Sequence, residues 1–183
     1  DLIFDGGSTV INKAGNTVVQ CAYFEEDYKT IELDKINLMP PLYKTDLALK
    51  KNKFEFIYNA LVTGIRDYFG KSGLKKAVVG LSGGIDSAVT VALAVAALGK
   101  ENVDVILMPT VFSSDHSVSD SVEMANRCEI TYHIINIEKL RNEFSETLSS
   151  VFDGTNADIT EENIQARIRG SVLMAYSNKF GHI

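Results

Sequence analysis

From residue 77 onward the chain repeats one pattern: a short apolar run, a polar break, then a longer segment with helical periodicity. The runs fall at 77–81, 103–108 and 133–137, and the helical segments near 86–98, 117–128, 139–150 and 161–180. A run such as "VDVILM" is apolar at almost every position rather than at alternate ones, so both of its faces must be covered. Buried strands alternating with helices predict an α/β fold, a doubly wound, Rossmann-like parallel sheet with helices on both sides.

The first zone follows a different grammar. Over residues 1–34, "STVIN", the turn "KAGN", "TVVQCAYF" and "KTIEL" read as β-type runs joined by turns, which predicts a small antiparallel unit. "MPPLYKTD" holds Pro40-Pro41 and marks a linker over 35–45, because proline and the residue before it both resist helix. A helix is expected from Asp46, with Phe54, Ile57, Tyr58, Leu61, Ile65, Tyr68 and Phe69 on one apolar face and Gly70 and Gly73 stopping it. The third zone, 46–183, is then one domain. The chain opens at Asp1 on a strand-like "LIF" and closes after "NKFGH" at the start of another strand, so a piece of a longer protein is expected.

Composition narrows the function. With 45% hydrophobic and 23% charged residues, the chain can bury a core and is not disordered. A net charge of −6 argues against nucleic-acid binding, which needs a basic surface, but leaves room for a single nucleotide pocket. The longest apolar stretch, 88–98, is too short to span a membrane and no signal peptide opens the chain, so a cytoplasmic location is expected. Cys21 and Cys128 sit far apart with no C-x-x-C spacing and read as packed thiols.

The polar break after the first of these buried runs carries the chemistry. In "VVGLSGGIDSAVTVAL" a strand ends near Gly80-Leu81, the loop Ser82-Gly83-Gly84 follows, and a helix begins near Asp86-Ser87. Glycine amides and a helix start can hold an anion. Asp86 beside phosphates would repel them unless a cation lay between, which points to Mg²⁺. The same residues also read as a plain turn with an acidic helix start. Neither a P-loop lysine nor G-x-G-x-x-G is present.

"GLSGGIDS", 80–87, resembles the pyrophosphate-gripping loop of the N-type ATP pyrophosphatases, whose fold is the adenine nucleotide alpha hydrolase type. Within that superfamily, "MPTVFSSDHSVSDS" and "ENIQARIRGSVLMAYSNKFG" resemble the loop after the second strand and the dinucleotide-contacting helix of glutamine-dependent NAD synthetases. "LIFDGGSTVINKAGNTVVQCAYFEED" resembles the terminal hairpin of the nitrilase-like glutaminase domain that precedes the synthetase there. The resemblance implies ligase activity. Deamido-NAD is activated by ATP as an acyl-adenylate, pyrophosphate leaves, and ammonia derived from glutamine attacks the acyl carbon. It further implies that Gly80, Leu81, Ser82, Gly83, Gly84, Ile85, Asp86 and Ser87 bind ATP, that Asp86 ligates Mg²⁺, that Met108 offers its backbone to adenine, and that the protein forms a homo-oligomer.

On the last helix, Ile164, Ile168 and Val172 make the core stripe, while Asn163, Arg167 and Gly170 fall on an adjacent one. Asn163 and Arg167 match the family's deamido-NAD contacts; a solvated face is the competing reading. Arg169 leaves the helix roughly 200° from Arg167, at about 100° per residue, and is expected to serve structure or a subunit contact.

Ser113, Ser114, Ser117 and Asp120 are weaker candidates, read first as helix-capping residues. His116, His133 and His182 read as isolated, and Glu123, Asp153 and Asp158 show no metal spacing. The family's second acidic ligand and its glutaminase Glu, Lys and Cys are not matched in this chain, and Cys21 sits inside a strand-like run. ATP binding without full catalysis is therefore expected of this stretch. The alternatives are a nucleotide-binding or dimerisation module without turnover, and a tRNA thiolase, which would need reactive cysteines.

Overall fold

The structure, a computed structural model, describes residues 2–42, 53–111 and 114–183, with the backbone alone at residue 115. It divides into two units, one ending at Gly64 and one running from Ile65 to Ile183.

In the first unit, β1 (Thr9–Ile11) and β2 (Thr17–Gln20) pair antiparallel, with Val10 opposite Val19. The turn is held by Asn12, whose Oδ1 accepts from the amides of Ala14 and Asn16, both at 3.0 Å. Val18 is buried, and Tyr23 and Phe24 each meet Phe56 in a T-shaped ring contact. "KTIEL" is not a strand, because no strand among the described residues pairs with it, and Leu33–Leu38 forms a 3-10 turn where linker was expected. "LIF" is likewise unpaired and largely exposed. The expected helix start at Asp46 lies outside the described residues; α1 is described over Lys53–Lys71. Its predicted stripe is not a buried one: Phe54, Ile57, Tyr58, Leu61 and Tyr68 are exposed and Val62 is the buried position.

The second unit is the α/β layer. Strands β3 (Ala77–Gly80), β4 (Val103–Leu107) and β5 (Thr131–Ile134) form a parallel sheet in that order. The helices are α2 (Ile85–Leu98), α3 (Asp115–Arg127), α4 (Glu138–Leu148) and α5 (Ile159–Phe180). After α5 the chain returns to the open side of β3, where Ile183 donates to Lys76 and accepts from Val78, each at 2.9 Å. The sheet therefore grows outward through β3, β4 and β5 and then reverses across β3. In open α/β sheets, the crevice beyond the strand ends at such a reversal is where ligands bind.

Strand β4 shows why the sheet is covered twice. Val105 and Leu107 face a core built with Val91 of α2 and Ala125 of α3. Ile106, with Met108 just past the strand, faces a second core built with Ile168 of α5. Ile164 and Val172 pack against that second core, as their four-residue spacing predicts. Helix α5 begins with a capping box, Asp158 accepting from Thr160 N and Glu161 accepting from Asp158 N, both at 2.8 Å. Asp158 is thus a helix cap, and hydrogen bonds from Thr160 hold its carboxyl below the usual range.

Candidate functional site

Strand β3 delivers its last glycine to the crevice. A Cβ on Gly80 would sit 3.3 Å from Leu173 of α5 and 3.4 Å from Met108, so the glycine lets the helix come close to the strand end. Leu81 turns into the core shared with α2 and α3, and Ser82, Gly83 and Gly84 then cross to the start of α2.

That loop closes on itself. Gly84 N donates to Ser82 Oγ (3.3 Å), the two hydroxyls Ser82 Oγ and Ser87 Oγ are 3.0 Å apart, and Ser87 Oγ donates to Gly84 O (2.9 Å). Because each hydroxyl has one proton, Ser82 must donate to Ser87, and the three residues form a ring. Ser82 N also donates to Ser87 Oγ at 3.2 Å. The ring shapes the loop with side chains and leaves the amides of Gly83, Ile85, Asp86 and Ser87 without an acceptor among the described residues. These donors sit at the positive end of α2. Asp86 stands at the same place, exposed, its carboxylate free of any ion pair or hydrogen bond among the described residues.

Beside the loop lies a cavity of about 300 Å³ at the ends of β3 and β4. Gly80, Leu81 and Ser82 form one wall, Leu107, Met108 and Pro109 the floor, Ser117, Val118 and Ser121 of α3 a second wall, and Arg169 and Leu173 of α5 a third. Neither the amide nor the carbonyl of Met108 is hydrogen-bonded among the described residues, which leaves both able to meet a planar heterocycle edge. Gly83 and Gly84, with Ile85, line a second, more open groove with Asp120 and Glu123, which shares Leu81 and Ser121 with the first.

Arg169, expected to serve structure or a subunit contact, lines the cavity, while Asn163 and Arg167, expected at the dinucleotide, are exposed and lie outside this cavity. Gly170 opens to free space. Ser114 caps α3 by accepting from Ser117 N, as expected of it, and Ser117 also reaches the cavity. Ser121 was missed: it lies one turn beyond Ser117 on α3, and its hydroxyl donates to Ser117 O at 2.8 Å. Ser113 lies outside the described residues. Two of the histidines are not isolated. His133 Nε2 is 3.1 Å from the Tyr176 hydroxyl, which donates to Asp104 at 2.6 Å, and His182 Nε2 lies 3.0 Å from the same Asp104 oxygen, off the direction a hydrogen bond needs. Burial first and the Asp104 hydrogen bond second push the Tyr176 hydroxyl up to about 12. Among the described residues no group of three or more His, Cys, Asp or Glu side chains could cage a metal.

The NAD synthase family model matches residues 57–183, more than half of the chain. The chain belongs to the NAD synthase family. It is 41% identical over 211 residues to the glutamine-dependent NAD(+) synthetase of Thermotoga maritima, covering 99% of this chain and 37% of that one. It is 42% identical to the enzyme of the same name from Acinetobacter baylyi, covering 100% and 34%. Among solved structures, the glutamine-dependent NAD+ synthetase of Acinetobacter baumannii in complex with ADP superposes over the whole chain with a TM-score of 0.89 at 43% identity, covering 34% of that protein. The chain thus spans about a third of the length of these NAD synthase relatives. The family match begins inside α1 and takes in the glycine loop, the cavity and α5. No helix among the described residues is long and apolar enough to cross a membrane.

Proposed function

We propose that this chain is the ATP-binding part of the adenylating core of a glutamine-dependent NAD synthetase, which as a whole protein converts deamido-NAD to NAD, and that this stretch binds ATP without full catalysis. The observation that carries the reading is the glycine loop itself: a hydroxyl ring holds it, four amides are left to donate, and it lies beside a cavity at the reversal of the sheet. The similarity of the whole chain to a synthetase solved with ADP supports the same assignment.

In this reading Gly80 to Ser87 hold the phosphates of ATP through backbone amides, and the free backbone of Met108 meets adenine over the apolar floor. Asn163 and Arg167 hold deamido-NAD from the exposed side of α5, one turn apart. The nicotinate carboxylate attacks the α-phosphorus and pyrophosphate leaves; ammonia then attacks the acyl carbon and AMP leaves. Amides aimed at the phosphates stabilise charge on the leaving pyrophosphate. A single exposed carboxylate suits Mg²⁺, which keeps waters and shares its shell with substrate phosphates. Asp86 is the residue that would hold it, and the ion would neutralise phosphate charge. Ammonia comes from glutamine in the whole protein.

The test is calorimetric. Asp86→Asn should weaken Mg-ATP binding by about tenfold or more and leave metal-free AMP binding nearly unchanged. Equal losses for the two ligands would remove Asp86 from the phosphates.

A further inference from the structure

We infer that Arg169 is the cation that reads the nucleotide's phosphates from the α5 side of the cavity, an assignment that rests on the ATP reading above. Arg169 is the one charged side chain lining the cavity among the described residues. No carboxylate among the described side chains lies within 4.0 Å of it. Its neighbour is neutral: the Gln165 side-chain oxygen, with the amide turned toward the guanidinium, accepts from Nη2 at 2.7 Å and from Nη1 at 3.2 Å. Two N–H groups are thereby fixed and the rest remain to donate. A half-buried guanidinium that is aimed but not neutralised by the protein fits an anionic ligand.

Position decides which part of the ligand it meets. Helix α5 runs down from beyond the strand ends, because the segment after it enters the sheet beside Lys76 at the foot of β3. Leu173 packs at Gly80, the last residue of β3. Arg169 is one turn closer to the helix start, about 6 Å higher, and so stands beyond the strand end at the level of Ser82 to Gly84. The polar lining there is Ser82, Ser117 and Ser121, while Met108 and Pro109 make the apolar floor. An adenine belongs on that floor and phosphates belong among the hydroxyls and amides. Arg169 then supplies a full charge where the cavity adjoins the loop, and the loop amides from Gly83 onward supply dipoles to the phosphates that extend past Ser82.

The experiment compares inorganic pyrophosphate, ATP and adenosine by calorimetry on the chain and on Arg169→Gln and Arg169→Lys. Arg169→Gln should lose about tenfold or more in affinity for ATP and pyrophosphate and hold adenosine within about twofold, with Arg169→Lys between it and the parent. Equal losses for adenosine and ATP would mean that Arg169 packs on the base, and no loss would mean that it touches neither; both overturn the assignment. A parent chain that binds neither ATP nor pyrophosphate overturns the ATP reading together with this one, whereas normal parent binding with unchanged variants overturns this one alone. A measurement free of substitution completes the test: modification of Arg169 by phenylglyoxal, read by peptide mass spectrometry, should be blocked by pyrophosphate and not by adenosine. Modification unaffected by saturating pyrophosphate contradicts the assignment.

Discussion

The carbonyl oxygen of Ser117 lies 2.5 Å from the point a Cβ on Gly83 would occupy, so the glycine loop and the first turn of α3 meet backbone to backbone. Gly83 also has φ +82°, a region L side chains rarely adopt. Contact and conformation both demand glycine. Gly83→Ala is expected to cost on the order of 1–3 kcal/mol from backbone strain, with a further cost for displacing α3. Urea denaturation should show a lower midpoint, and ATP affinity should fall with it because the loop amides lose their aim.

Ser87 closes the hydroxyl ring, so Ser87→Ala removes its bonds to Ser82 and Gly84 while leaving the loop backbone unstrained. Exposed hydrogen bonds of this kind contribute at the low end of about 0.5–1.5 kcal/mol each. Stability should change little. ATP affinity should drop several-fold, since the amides are no longer held in one arrangement, and calorimetry beside a thermal melt separates the two effects.

Tyr176 and Asp104, 72 residues apart in sequence, carry a pH dependence. The folded-state pKa of the tyrosine is raised to about 12 from an ordinary value of 10.0. The stability this contributes is complete below the unfolded value and is lost as pH rises through the folded one. Unfolding free energy should therefore decline between about pH 10 and pH 12. Tyr176→Phe should be less stable at pH 8 and show a smaller decline across that window, as read from chemical denaturation at each pH.

Ile168 is 3% exposed and joins α5 to the core around Ile106. Ile168→Ala should destabilise the second unit by about 2–5 kcal/mol through lost burial and the cavity left behind. Because α5 also carries Arg169, nucleotide affinity should weaken in the same variant, which a titration at low temperature would detect.

What could be read in advance followed from local rules. Strand β4 announces a doubly covered sheet because Val103, Val105, Ile106 and Leu107 are all apolar, and the loop after β3 announces itself because glycines interrupt two buried runs. Arg169 could not be placed in this way. Arg167 and Arg169 flank Ile168 at about 100° to either side, so helix geometry separates them without saying which flank meets the end of β3. The hand of the crossover from α5 back to the sheet decides it, and that is a tertiary fact. The grouping of His133, Tyr176, Asp104 and His182 is equally non-local, assembled from two strands, a helix and the segment after it. "KTIEL" has strand composition but no strand partner among the described residues, and a strand without a neighbour is not a strand.

If Gly80 to Ser87 hold the phosphates of ATP with backbone amides, an amide-resolved NMR titration of the ¹⁵N-labelled chain with Mg-ATP reads those contacts one by one. Saturable shifts are expected at the amides of Gly83, Ile85, Asp86 and Ser87, with a second group at Met108 and inorganic pyrophosphate reproducing the first group alone. Saturable binding with those four amides unmoved, or no binding at millimolar Mg-ATP, would contradict the phosphate assignment.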